Sequence, residues 1–151
     1  MQTYTIKVHD HYFKIHCNAK DEICEILVQA NARPSNNLSK NARILQEDLN
    51  DYFLGRKIVF RSNFHLPKFS PFRAKVMKHM SKIAYGKTKT YKDLAKQAGS
   101  PLAQRAVGSV CARNPLPIVI PCHRVVGSQG LGGYALGLNV KRKLLQLEEA
   151  L

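Results

Sequence analysis

No apolar run in this 151-residue chain approaches the ~20 residues of a membrane-spanning helix, which excludes a helical span. The opening Met1-Gln2-Thr3-Tyr4 lacks a signal peptide's charged and apolar blocks, so a cytoplasmic location is expected, or a nuclear one in a eukaryotic source. Four cysteines in such a compartment do not make a disulfide framework, and Cys17, Cys24, Cys111 and Cys122 read as free thiols. Internal repeats and low-complexity tracts are absent, and a 44% hydrophobic content excludes a disordered chain. Acidic residues are scarce, ten against 24 Lys and Arg, and the shortage is uneven. Residues 1–67 hold nine basic and seven acidic side chains, whereas residues 68–151 hold fifteen and three. A net +2 beside a net +12 points to a polyanionic partner for the second half, most simply nucleic acid.

What is present divides at the same place. Residues 1–60 read as a strand and helix domain, 61–70 as a linker, and 71–151 as a mostly helical domain. Polar and apolar positions alternate over Tyr4–Val8 and Tyr12–His16 around His9-Asp10-His11, and Ile23–Val28 supplies a third strand. A breaker-rich loop runs from Asn31 to Lys40. Ser39 then opens a helix with Ala42, Leu45, Leu49, Tyr52 and Phe53 at helical spacing, ended before Gly55. In the second half, Ser70-Pro71 starts a helix carrying Phe72, Val76, Met80, Ile83 and Ala84, which Gly86 ends. Thr90 caps a short helix with Leu94, Ala95 and Ala98, and Gly99 terminates it. Ser100-Pro101 starts the next, carrying Leu102, Ala106, Val107 and Val110. The pair forms a helix-turn-helix pattern. A Gly-rich loop over 127–137 and a final helix from Asn139 follow. The fold class expected is α/β in the α+β sense: a small antiparallel sheet with a helix, then helices with a reactive-cysteine loop.

The segment Ile118-Val119-Ile120-Pro121-Cys122-His123-Arg124-Val125-Val126 carries the chemistry. Pro121 blocks a helix there, so an apolar strand is expected to deliver a thiol into a rigid turn. A histidine and an arginine nearby lower a thiol's pKa from ~8.5 toward the reactive range. Sequence neighbours do not share a face, so Cys122 and His123 are expected to communicate through one water. Cys111, mid-helix among apolar residues, reads as a buried inert thiol. On the second helix of the pair, Gln104, Arg105, Ala106, Gly108 and Ser109 are small or polar and permit close approach to a backbone. Residues 94–112 offer Arg105 no acid within its own helix, leaving it to contact phosphate or to fill space in a base stack.

Tyr85-Gly86-Lys87, Thr90-Tyr91, Arg105-Ala106-Val107-Gly108, Asn114-Pro115-Leu116-Pro117, Ile120-Pro121-Cys122-His123-Arg124-Val125 and Gly132-Gly133-Tyr134 together resemble the O6-alkylguanine-DNA alkyltransferases. The motifs stand in family order over roughly residues 70–149, whereas residues 1–60 resemble the family only in size and strand–helix character. The resemblance implies a helix-turn-helix bound to duplex DNA from the minor groove, with Thr90, Arg105, Ala106, Gly108 and Ser109 at the DNA. It implies extrusion of the damaged base and stoichiometric transfer of its O6 alkyl group to a cysteine, with O4-alkylthymine a further substrate. Cys122 is then the acceptor and His123 the base, oriented by Glu148 or by Glu149 one place on. Tyr91 protonates the departing guanine, and Arg105 fills the emptied stack. Asn114 braces the turn; Tyr134, Ala135, Pro117 and the backbone near Val125 form the pocket. Ala135 stands where many members carry serine. No cofactor or metal is implied, since Cys17, Cys24 and the histidines lack the spacing of a closed zinc site. The implied partner is duplex DNA containing alkylated guanine, met by a monomer away from membranes.

Three other readings are separable. Alkyltransferase-like damage sensors carry tryptophan in place of the acceptor cysteine, and this chain has Cys122 and no tryptophan. A redox-sensing helix-turn-helix regulator would prefer a DNA sequence over a lesion. A Cys–His hydrolase would turn over repeatedly and ignore DNA.

Overall fold

The computed structural model describes residues 1–151, which divide into two units, Met1–Pro67 and Lys68–Leu151. No helix is long and apolar enough to cross a membrane.

In the first unit, three antiparallel strands, β1 (Gln2–Val8), β2 (His11–Cys17) and β3 (Ile23–Gln29), lie in the order β1-β2-β3. The period of two puts Ile6, Val8, Phe13, Ile15 and Cys17 into the core, and a register shift at His16/Cys17 brings both Ile23 and Ile26 of β3 there as well. Helix α1 (Lys40–Phe53) packs on β1, with Ala42, Leu45, Leu49 and Tyr52 on its buried side. Ser39 caps its start by accepting from the Ala42 N–H. Its end is a Schellman turn: Gly55 at φ 82 bonds Tyr52 O while Arg56 bonds Asp51 O.

Residues 61–67, expected within a linker, belong to this unit. Asp48, 3% exposed, accepts from the backbone and the Nε of Arg61 at 2.8 and 2.9 Å. Ile23 exchanges backbone bonds with Asn63 and His65. These ties fasten the segment to α1 and the sheet edge, which its polar composition does not reveal.

The second unit begins with α2 (Pro71–Ser81), capped by Ser70 with Pro71 in the first turn. It stops well short of Gly86. The Ile83 carbonyl accepts from Arg124 Nη1 at 2.7 Å, so a tertiary partner takes a group that a longer helix would use. Helices α3 (Tyr91–Gln97) and α4 (Gln104–Ala112) pack together and against α2. Thr90 and Asp93 form a reciprocal capping box at the start of α3. Helix α4 begins later than Ser100-Pro101 predicts. Ser100 N–H still bonds Ala95 O, completing the Schellman turn around Gly99, so residues 100–103 form the turn instead.

The two-residue strands β4 (Lys89–Thr90) and β5 (Val125–Val126) pair in parallel, Lys89 with Val125 and Thr90 with Val126. This pairing holds the segment after Cys122 beside the start of α3. Helix α5 (Leu138–Leu147) closes the unit. It ends in a Schellman turn with Glu149, not glycine, at φ 59: Glu149 N–H bonds Gln146 O and Ala150 N–H bonds Leu145 O.

Candidate active site

The apolar run before Cys122 is a turn rather than the expected strand. Ile118 adopts φ 72, a left-handed conformation strained for a β-branched residue, and Pro117 bridges Ile120. Asn114 holds this turn from inside, donating Nδ2–H to Ile120 O at 2.8 Å and accepting the Leu116 N–H at 3.0 Å. Cys122 then opens a 3-10 turn, Cys122–Arg124, at 4% exposure.

Burial raises the pKa of the Cys122 thiol, the reverse of the depression that its sequence neighbours suggest. The opposing influences are all local: the Asn114 amide, backbone donation, the Lys141 cation and the Tyr134 hydroxyl each favour the thiolate. The Tyr134 hydroxyl is buried and near enough to act on the sulfur's charge, yet makes no hydrogen bond of full geometry. Cys111, half-buried, sits with its sulfur 3.7 Å from Met80 Sδ, and burial pushes its thiol up to about 12.

His123 and Glu148 face each other with Nε2 and Oε2 2.6 Å apart, both wholly buried. Arg124 grips the same carboxylate through Nε at 2.8 Å and Nη2 at 3.0 Å. Gly86 N–H adds a fourth donor at 3.2 Å. The Schellman turn selects Glu148 over Glu149: the first is the inward-facing cap, and the second is exposed beyond it. Burial outweighs Glu148's pull and, with the Arg124 and Lys141 cations adding to it, lowers the His123 pKa. A neutral His123 donating Nε2–H to Glu148 carries its lone pair on Nδ1, the form a proton acceptor needs.

Lys141, 0% exposed, was not foreseen in this site. Its ammonium donates to Val125 O and to Gly133 O, the latter at 2.9 Å, and lies 5.7 Å from the centre of the Tyr91 ring. Burial lowers its pKa while Cys111 and Cys122 hold it up. The sequence carries a signal for it. Lys141 precedes Leu144, Leu145 and Glu148 by three, four and seven residues, on the buried stripe of α5.

A cavity of about 510 Å3 is lined by Tyr91, Gln104, Arg105, Gly108, Cys111, Ala112, Gly133, Tyr134 and Ala135. Tyr91 donates its hydroxyl to Gly133 O at 3.2 Å, and burial raises its pKa, so it stays protonated. Gly132, at φ 73, permits this approach, since a Cβ there would lie 2.6 Å from the Tyr91 ring. Gln104, Cys111, Ala112 and Gly133 join the lining beyond the residues expected.

Two pocket residues are elsewhere. Pro117 is buried in the turn, outside the lining. Val125 is fully buried, its N–H on Cys122 O and its C=O on Lys141, so its backbone is already used within the protein. Arg105, Ala106 and Ser109 are exposed on α4, and no ion pair holds Arg105. The Thr90 hydroxyl accepts the Asp93 N–H as a cap.

The model of the 6-O-methylguanine DNA methyltransferase DNA-binding domain matches residues 71–150. A methylated-DNA–protein-cysteine methyltransferase of Methanosarcina barkeri is 48% identical over 102 residues, covering 67% of this chain and 64% of that protein. One from Saccharolobus islandicus is 44% identical over 97 residues, covering 64% and 62%. The aligned part thus spans a little under two thirds of these relatives' length. Among solved structures, the Mycobacterium tuberculosis OGT in complex with DNA superposes with a TM-score of 0.83 at 32% identity, over 99% of this chain and 94% of that one.

Proposed function

The chain belongs to the 6-O-methylguanine DNA methyltransferase family, and on that premise we propose that it repairs DNA by moving an alkyl group from guanine O6 to Cys122. The observation that carries this reading is a buried Cys122 in a turn pinned by Asn114 and followed at once by the buried His123–Glu148–Arg124 cluster, in the unit whose cavity Tyr91, Arg105 and Tyr134 line. The relatives are named as methylated-DNA–protein-cysteine methyltransferases, and the M. tuberculosis protein is described in complex with DNA.

In this mechanism the protein docks on duplex DNA through α3 and α4 from the minor groove, and the lesion leaves the stack for the cavity. A poorly paired alkylguanine costs only a few kcal/mol to extrude, and Arg105 enters the space it vacates. The Cys122 proton passes through one water to His123 Nδ1, and Glu148 steadies the imidazolium. Lys141 and the Asn114 amide stabilise the thiolate, offsetting its burial. The sulfur attacks the alkyl carbon in line, a C–S bond forms as the C–O bond breaks, and the Tyr91 hydroxyl protonates the departing guanine. The thioether at Cys122 is stable, so each chain reacts once. O4-alkylthymine, with the same O-alkyl geometry, is a second substrate. The acting species is a monomer.

The test is intact-protein mass spectrometry after incubation with a duplex containing one O6-methylguanine, followed by peptide mapping. One methyl group per chain, on Cys122 and without further turnover, is the expected result. An unmodified protein that still binds the lesion would make this chain a damage sensor. Absence of any lesion preference would make it a regulator.

A further inference from the structure

We propose that Leu102 is an apolar wedge which inserts into the DNA minor groove beside Arg105 and contributes affinity that does not depend on phosphate contacts. The proposal rests on the DNA-repair reading above. Leu102 is 93% exposed, more than the terminal Met1 at 85%. Single exposed leucines are ordinary, but three features distinguish this one.

The first is a rigid platform. Residues 100–103 form a closed turn in which Ala103 N–H bonds Ser100 O at 2.9 Å. Ser100 N–H bonds Ala95 O at 2.9 Å, and Pro101 fixes its own φ. A side chain on such a support loses little backbone freedom when it is buried by a partner.

The second is position. Leu102 precedes Gln104 and Arg105, which line the cavity from the first turn of α4. The third is charge. Exposed Lys96 and Arg105 flank the turn, and residues 94–112 contain no acid. An apolar tip within a basic rim matches a duplex groove, where phosphates border the less polar sugar and base edges. One side chain is too small a face for a membrane or a protein core.

The test compares Leu102→Ala, Leu102→Met and Arg105→Ala with wild type on an unmodified 20-base-pair duplex across a salt series. Leu102→Ala is expected to raise Kd about tenfold with an unchanged slope of log K against log salt, because an apolar contact releases no counterion. Leu102→Met is expected to bind like wild type. Arg105→Ala, which removes a cation from the bound surface, is expected to lower the slope by roughly one, the response that separates a charged contact from the apolar one. Transfer from free O6-benzylguanine should be unchanged, and so should Tm, at so exposed a position. Wild-type affinity in Leu102→Ala, or a slope that falls along with its affinity, overturns the wedge. Failure of the wild-type protein to bind duplex or to react with the free base overturns the repair reading instead.

Discussion

Each half of the molecule buries a cysteine, Cys17 at 0% exposure and Cys122 at 4%, and the two differ in what surrounds them. Burial raises both thiols. Around Cys17 the Asp21 carboxylate pushes the same way, up to about 11. Around Cys122 the other influences, Asn114, Lys141 and Tyr134 among them, oppose burial. Buried carboxylates repeat the contrast. Asp48 staples Arg61 to α1 in a nearly neutral unit, whereas Glu148 gathers His123 and Arg124 next to the reactive turn. For the thiols, the sign of the neighbouring charges decides whether burial is reinforced or opposed; both carboxylates meet an arginine, and the buried His123 on Glu148 is what ties one of them to the reactive turn.

The largest expected effect separates the thiols. Cys122→Ala should abolish methyl transfer while duplex affinity stays near wild type, and Cys17→Ala should leave transfer intact. Loss of DNA binding in Cys122→Ala, measured by fluorescence anisotropy, would contradict the role assigned to the sulfur.

The carboxylates come next. Glu148→Gln leaves Arg124 without its buried counter-charge and should cost about 3 kcal/mol of stability as well as slowing transfer. Asp48→Asn should cost roughly 1–3 kcal/mol and leave transfer per folded molecule unchanged. Urea denaturation with single-turnover kinetics tests both, and equal kinetic losses would erase the contrast. Acid should act on the same cluster. His123 has a lowered folded-state pKa, so its contribution is present above the ordinary value of ~6.5 and is lost as pH falls below it. Replacing His123 should flatten that acid loss in a pH series of melting curves.

For Arg105→Ala, transfer from duplex DNA should slow by roughly tenfold to a hundredfold, the scale of a flipped-base cost of a few kcal/mol. Transfer from free O6-benzylguanine should change little. Equal losses on both substrates would remove the stack-filling role. The smallest effect sharpens the comparison of fields. Iodoacetamide labelling of Cys122 should climb with pH beyond the ordinary thiol range, and Lys141→Met should displace the curve further upward. A shift of one pKa unit is about tenfold in thiolate at neutral pH. An unmoved curve would show that Lys141 only ties Val125 and Gly133 together.

Features that depend on near neighbours in sequence were legible. Ser39, Ser70 and Thr90 are caps because their hydroxyls reach backbone N–H groups three residues on. Gly55 and Gly99 end helices because a left-handed residue closes each Schellman turn. The first two strands followed from alternation, whereas β3 buries Ile23 and Ile26 across a register shift that no period of two encodes. Errors arose where a distant residue took a backbone group or imposed a conformation. Arg124 claims Ile83 O and α2 ends early; Ala95 holds Ser100 and α4 starts late. The apolar run before Cys122 satisfies strand propensity, but Asn114 pins it into a turn with Ile118 left-handed.

The sequence by itself determined the divided charge, the helix-turn-helix order, the reactive Pro-Cys-His-Arg segment and the family it resembles, all encoded in residue type and short spacing. Only the tertiary structure decided that Glu148 rather than Glu149 meets His123, that Lys141 is buried on the carbonyls of Val125 and Gly133, and that Val125's backbone is occupied. Those outcomes depend on which face of α5 turns inward and how β4 and β5 align. They are fixed by packing across dozens of residues, where a change of one position reverses which charged group is buried.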